Sequence, residues 1–218
     1  KIFTASQIRA CDAYTIKAAN IRSSELMERA AVKCAGWIKE HLPKDTLFVV
    51  LCGTGNNGGD GLAITRLLHQ RGYGVKAFLL SFSKELSSDC KQNLDRLQEI
   101  DKDLVGIVQP DTFITDLPGH IVIIDAILGT GLSRPTQGWV ASFITQINHL
   151  PNRKIAIDIP SGLPADILPD ADSAIINADH TLSFQFYKRS FLHPEAAPHT
   201  GQVHILDIGL DKTFIAST

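Results

Sequence analysis

A valine-rich apolar run at residues 47–51 enters a segment carrying Gly53, Gly55, Gly58, Gly59 and Gly61, and a helical pattern takes over near residue 60. This feature constrains the fold more than any other. A continuous apolar run of strand length reads as a strand buried on both faces, as in parallel sheets. Glycines before a helix remove side chains and permit positive φ. Backbone N–H groups can then converge on an anion at the helix N-terminus. The bland alternative is a tight strand-to-helix turn capped by Asp60.

The same grammar recurs. Strands are expected at 75–80, 105–108, 121–124, 154–157, 181–184 and 203–206, and helices at 60–71, 84–98 and 137–149. Residues 111–117 form an unassigned connection. Two helices precede the first strand. One spans 4–19 and opens on a capping box of Thr4 and Gln7. The other starts at Ser23 or Ser24, carries Leu26, Met27, Ala30, Ala31, Cys34 and Ile38 at helical spacing, and stops at Pro43. Alternation of strand and helix predicts an α/β domain with a mostly parallel sheet between helical layers. The chain of 218 residues suits a single domain spanning 1–218, with residues 164–172 a loop inside it.

Composition narrows the function classes. With 21 basic and 23 acidic residues, the chain offers no polyanion-binding surface, so no nucleic acid is expected. Apolar runs stay short of the roughly 18 residues of a membrane span, and no signal peptide is visible. Cys11, Cys34, Cys52 and Cys90 form no close pair, which favours reduced thiols and a cytoplasmic setting over zinc or disulfides. The chain begins at Lys1 rather than methionine, so residues beyond its ends are to be expected.

Two further loops follow strands. Asp125-Ala126-Ile127-Leu128 leads into Gly129, Thr130, Gly131, Leu132, Ser133, Arg134 and Pro135. Asp158-Ile159-Pro160-Ser161-Gly162 follows the strand at 154–157. Ligands bind outside the carboxyl ends of strands in open α/β sheets, so three such ends predict one composite rim. Arg134 can pair with phosphate. A turn-capping role is the alternative for Asp125. Asn57, Asp125 and Ser161 offer oxygen donors, one carboxylate among neutral groups, which suits potassium better than zinc. Magnesium held through phosphates stays open. Lys188 reads by default as a surface lysine, and otherwise as a phosphate partner or acid/base. Phe184, Phe186 and Tyr187 offer a platform for a ring, or the apolar face of a strand. Trp37 and Trp139 read as helix packing. No Walker motif, simple dinucleotide fingerprint or Gly-x-Ser-x-Gly elbow is present.

Taken together, Leu26-Met27-Glu28-Arg29-Ala30, Gly55-Asn56-Asn57-Gly58-Gly59-Asp60-Gly61, Asp125-Ala126 with Gly129-Thr130-Gly131-Leu132, Asp158-Ile159-Pro160-Ser161-Gly162, and the ending Gly201-Gln202-Val203 through Asp207-Ile208-Gly209 resemble the NAD(P)HX epimerase family, also called the YjeF N-terminal domain family. The resemblance implies a three-layer α/β/α sandwich, Rossmann-like, often a homodimer. It implies interconversion of the R and S forms of NADHX or NADPHX, coenzymes hydrated at C6 of the nicotinamide ring. It also implies a partner dehydratase using ATP or ADP, fused in some relatives. The present length leaves no room for that dehydratase, which is expected as a separate enzyme or an excised domain.

By the same resemblance, Asn56, Asn57, Gly58, Gly59 and Asp60 bind substrate. Gly129, Thr130, Gly131, Leu132, Ser133, Arg134 and Pro135 hold phosphate. Asp158 contacts substrate near the reacting ring. Asn57, Asp125 and Ser161 contact potassium. Asp158 is the expected principal acid/base, with Lys188 assisting. The setting Phe186-Tyr187-Lys188-Arg189-Ser190 departs from the family's usual small residue, proline, lysine, and proline or glycine. A non-enzymatic nucleotide-sensing or protein-interaction module is the competing class, and a hydride-transferring NAD enzyme a weaker one.

Overall fold

The computed structural model describes residues 1–83, 85–110, 117–132, 134–170 and 172–218. Helices α1 (Ala5–Ala18) and α2 (Ser23–His41) precede β1 (Leu47–Cys52). Then come α3 (Asn56–Gln70), β2 (Gly74–Leu80), α4 (Ser88–Ile100), β3 (Val105–Val108), β4 (Val122–Ala126), α5 (Gly138–His149), β5 (Lys154–Ile157), β6 (His180–Phe184), α6 (Ala197–Thr200), β7 (Gln202–Leu206) and α7 (Lys212–Ser217). The strands form one seven-stranded sheet in the order β3-β2-β1-β4-β5-β6-β7. Every pairing is parallel.

Strand periodicity explains the layers. Phe48, Val50 and Cys52 point to one face, where they meet Ala31, Cys34 and Ile38 of α2, Leu62, Ile64 and Leu68 of α3, and Cys90 and Leu97 of α4. Val49 and Leu51 point to the other, against Val140, Phe143, Ile144 and Ile147 of α5. Both faces of β1 are therefore covered, which is why its sequence shows no alternation. This is the expected α/β/α arrangement with a Rossmann-like sheet.

The chain order reverses between β1 and β4. That is the switch point at which a crevice opens beyond the carboxyl ends of the strands. Helix α1 sits on this rim rather than on a sheet face. Its Ile8 and Cys11 pack with Phe186 after β6 and with Ile208 and Leu210 after β7. Ala5 packs with Ile159 and Leu163 after β5.

Local signals held at α1, where Thr4 and Gln7 form both halves of the capping box. They differed at α2. Its cap position is Arg22, whose backbone N–H donates to Glu25 Oε2 at 2.9 Å. Ser23 Oγ instead donates to Asp89 Oδ1 at 3.0 Å, tying α2 to α4. Helix α4 starts at Ser88 rather than near Lys84, because Ser87 Oγ accepts from Cys90 N and caps it there. Lys84, Ser133 and the connection 111–116 lie outside the described residues. No helix among the described residues is long and apolar enough to cross a membrane.

Candidate active site

The glycine-rich run after β1 is not a loop over its length. Helix α3 begins at Asn56, so Asn56, Asn57, Gly58, Gly59 and Asp60 form its first turn. None of its glycines has positive φ. They serve close packing instead. A Cβ on Gly58 would fall 1.8 Å from Gly53 O, against rigid backbone. Absence of side chains, rather than left-handed backbone, lets α3 start this close to the end of β1.

Asn57, Asp125 and Ser161 lie together around the backbone of Leu128. Asp125 lies inside β4 rather than after it, and is fully buried. Its Oδ1 accepts from Ser161 Oγ at 2.5 Å and Ile127 N at 3.2 Å, and its Oδ2 from Ser161 N at 2.8 Å. The bond from Ile127 N gives Asp125 the turn-capping role. Desolvation pushes its carboxyl up to about 6, while the bonds from Ser161 and Ile127 pull the other way. Ser161 Oγ has Asp125 Oδ1 at 2.5 Å and Leu128 O at 3.2 Å as acceptors for its one proton, and itself accepts from Leu128 N at 2.8 Å. Asn57 Nδ2 donates to Leu128 O at 3.0 Å, and Asn57 Oδ1 is buried without a partner. Gly162 holds Ser161 in place at φ +93°, where a Cβ would stand 2.0 Å from Ala174 O.

Asp158 and Lys188 also meet. Asp158 follows β5 at φ +66°, a left-handed conformation rare for aspartate and typical of functional sites. Its backbone N–H still donates to Leu182 O at 2.8 Å, so β6 holds it there. Lys188 Nζ stands 2.7 Å from Asp158 Oδ1, with the lysine side chain fully buried and that of Asp158 14% exposed. Phe184 N donates to the same oxygen at 3.2 Å, and Lys188 Nζ donates to Phe184 O at 3.3 Å. A parallel bridge to Phe3 fixes the lysine backbone. The surface-lysine reading is therefore displaced by a buried ion pair.

Two cavities are lined by neighbours of these groups, Gly162 in one and Asn56 and Phe184 in the other. The larger, about 300 Å³, includes Thr130, Gly131, Leu132, Arg134 and Pro135 in its wall. Gly129 stands against Asn57, where a Cβ would come within 3.2 Å of Asn57 Cβ. The smaller, about 160 Å³, is walled in part by Asn56, Asp60, Met27 and Phe184. Of the three aromatic residues suggested as a ring platform, only Phe184 faces this cavity. Phe186 is buried and stacked on Phe3 at 4.3 Å, and Tyr187 is exposed, edge-on to Phe191. Trp37 is buried and stacked on His41.

Sequence reasoning missed two residues of α1. Arg9 lines the larger cavity and Asp12 the smaller. Burial first, then the charge of Asp158, push the Asp12 carboxyl up to about 6, with Lys188 opposing. Asp60 is driven well up by burial and then by Asp158, Asp12 and Asp89. The available signal was the spacing of Ala5, Arg9, Asp12 and Ile16, one stripe of a helix otherwise judged only for its apolar face.

Comparison with known proteins finds similar chains at the level of family and fold. The family model described as YjeF-related protein N-terminus matches residues 23–190. An NAD(P)H-hydrate epimerase of Limosilactobacillus fermentum is 35% identical over 204 residues, covering 94% of this chain and 95% of that protein. A bifunctional NAD(P)H-hydrate repair enzyme Nnr of Salinibacter ruber is 33% identical over 221 residues, covering 96% of this chain and 41% of that protein. The chain thus spans well under half of that bifunctional relative. The crystal structure of yeast ynu0, YNL200c, matches with a TM-score of 0.82 over 100% of this chain and 93% of that one, at 21% identity, which shows the common fold.

Proposed function

This chain belongs to the YjeF-related protein N-terminus family, and we propose that it is an NAD(P)H-hydrate epimerase, interconverting the R and S forms of NADHX and NADPHX. The structural observation that carries the reading is the buried Lys188–Asp158 ion pair, bonded to the backbone of Phe184, whose residue walls the smaller cavity, while the Thr130–Gly131 loop walls the larger one. The names of the epimerase relatives, matched over nearly the whole chain, favour turnover over the sensing or interaction module.

The pyrophosphate would lie along Gly129, Thr130, Gly131, Leu132, Arg134 and Pro135, with Arg134 exposed and able to pair with it. The hydrated ring would enter the smaller cavity against Phe184, near Asn56 and Asp60. Carbon C6 carries its hydroxyl next to the ring nitrogen. Protonation of that hydroxyl lets the C6–O bond break, its electron pair leaving with water. The nitrogen lone pair then forms a C=N bond, giving an iminium cation. Water returns to the other face, the π pair goes back to nitrogen, and the extra proton returns to the protein. Asp158 is the principal acid/base and stabiliser of that cation. Lys188 occupies its Oδ1, and Oδ2 accepts no hydrogen bond among the described residues.

Potassium fits the residues present. Asn57 Oδ1 is buried and unpartnered, and no cationic side chain pairs with Asp125 among the described residues. A monovalent cation held by Asn57, Asp125 and Ser161 would offset the buried charge. When bound, the ion supplies a fixed positive charge at the junction of β1, β4 and β5. The product S form would pass to a dehydratase, an activity in keeping with the bifunctional repair enzymes among the relatives.

The test is incubation with each purified epimer of NADHX, resolved by chromatography, with and without potassium. Acceleration from either side toward one R:S ratio supports the reading. Binding of either epimer with no acceleration would replace it with the sensing module.

A further inference from the structure

We infer that helix α1 is a wall of the substrate site, with Arg9 binding the pyrophosphate and Asp12 acting as a second catalytic carboxyl at the ring. The inference rests on the epimerase reading and assigns it two residues outside the 23–190 match.

The geometry starts from helical spacing. Ala5, Arg9, Asp12 and Ile16 are separated by four, three and four residues, which places them on one stripe. At 1.5 Å per residue this stripe runs about 16 Å along the axis. Its first half, Ala5 and Arg9, borders the cavity of the Thr130–Gly131 loop. Its second half, Asp12 and Ile16, borders the cavity of Asn56 and Asp60. One helix therefore follows the length of a ligand that lies across both.

The placement is fixed rather than incidental. Ala5 N donates to both carboxylate oxygens of Asp166, at 2.9 and 3.1 Å. Phe3 bridges to Lys188 and stacks on Phe186. Ion pairs and hydrogen bonds satisfy neither Arg9 nor Asp12 among the described residues, so both are available to a ligand.

The chemistry needs a proton donor as well as a base. The charges of Asp158 and Lys188 act on Asp12, Asp60 and Asp89 share its cavity wall, and neighbouring Cys11 feels the charges of Asp12 and Asp211. Asp158 is engaged by an ammonium, whereas Asp12 has none at hydrogen-bonding distance. A carboxyl pushed up to about 6 keeps part of its population protonated near neutrality. Two carboxyl groups in unlike settings thus divide the work. Asp12 gives its proton to the C6 hydroxyl, water departs with the C–O electron pair, and the ring nitrogen closes the iminium. On return, water bonds to C6 and gives its extra proton to Asp158, and exchange with solvent restores the proton of Asp12.

The experiment measures epimerisation of separated R- and S-NADHX by wild type, Asp12→Asn, Asp12→Glu and Arg9→Ala, with Lys17→Gln as the surface control and melting curves for folding. Asp12→Asn should lower kcat at least 100-fold with KM within about threefold, and should abolish the fall in rate as pH rises through the region where Asp12 loses its proton. Asp12→Glu should restore part of kcat and the pH dependence. Arg9→Ala should raise KM about tenfold with kcat within twofold. Folded Asp12→Asn with wild-type kcat and pH profile, or Arg9→Ala with wild-type KM, overturns the assignment. A wild type without activity sinks the epimerase reading itself, and this inference with it.

Discussion

Replacing Lys188 by methionine keeps the length of its buried stem and removes its charge. The Asp158 carboxylate, with its side chain 14% exposed, would then keep only the N–H of Phe184 on Oδ1. Breaking a buried ion pair by deleting one partner costs about 3–5 kcal/mol, chiefly through the charge left behind. Residual exposure of Asp158 puts the expected loss near the lower end, about 3 kcal/mol. Asp158→Asn instead leaves the ammonium buried without a countercharge, with only neutral oxygens such as Phe184 O at 3.3 Å to accept from it, and should cost a similar amount. The double variant Asp158→Asn/Lys188→Met buries no charge at the pair, so its loss should fall short of the sum of the singles by about 2–3 kcal/mol. Urea unfolding at pH 7.5, followed by circular dichroism with the slope held constant, reads this directly. Additive losses, or a lysine variant as stable as wild type, would refute the view that the pair is a desolvated unit.

Other expectations follow from the same geometry. Asp12→Asn should stabilise the ligand-free protein at pH 8 by about 2–3 kcal/mol, because a shift from 3.8 to about 6 penalises ionisation by roughly that much. The sign is fixed: the folded state holds this proton more tightly, so wild-type stability is full below about pH 4 and falls as pH rises to about 6, and the asparagine variant should lose that fall. Potassium at ten times its dissociation constant should add about 1.4 kcal/mol to wild-type stability, and Asp125→Asn should remove that gain relative to sodium. Gly58→Ala places a Cβ 1.8 Å from Gly53 O, so its urea midpoint should drop by the equivalent of 3 kcal/mol or more, and an unchanged midpoint would contradict the close approach of α3 to β1.

Much of this architecture was legible because the strands are buried on both faces. Valine-rich runs such as Leu47–Cys52 stand out from helices, and the polar residue that ends each run must fall on one rim when all strands are parallel. Hence Asn57, Asp125 and Ser161 could be grouped before their distances were known. The start of α3 was not legible, since a glycine-rich run looks like loop until Gly58 is seen lying against Gly53. Nor was the burial of Lys188, which depends on a residue four places past the end of β6 turning back to meet one just past β5. The role of α1 was hidden for a related reason. Its capping box and apolar face specify a helix, but only its seat on the carboxyl rim turns Arg9 and Asp12 toward the cavities.

The most direct test of the central claim is the initial rate at which pure R-NADHX becomes S-NADHX, with the spontaneous rate subtracted, for wild type beside Asp158→Asn. A rate well above background that falls at least 100-fold in a folded Asp158→Asn protein is the expected result. A wild-type rate equal to background would contradict epimerase activity. Equal rates for the two proteins would remove Asp158 from the chemistry.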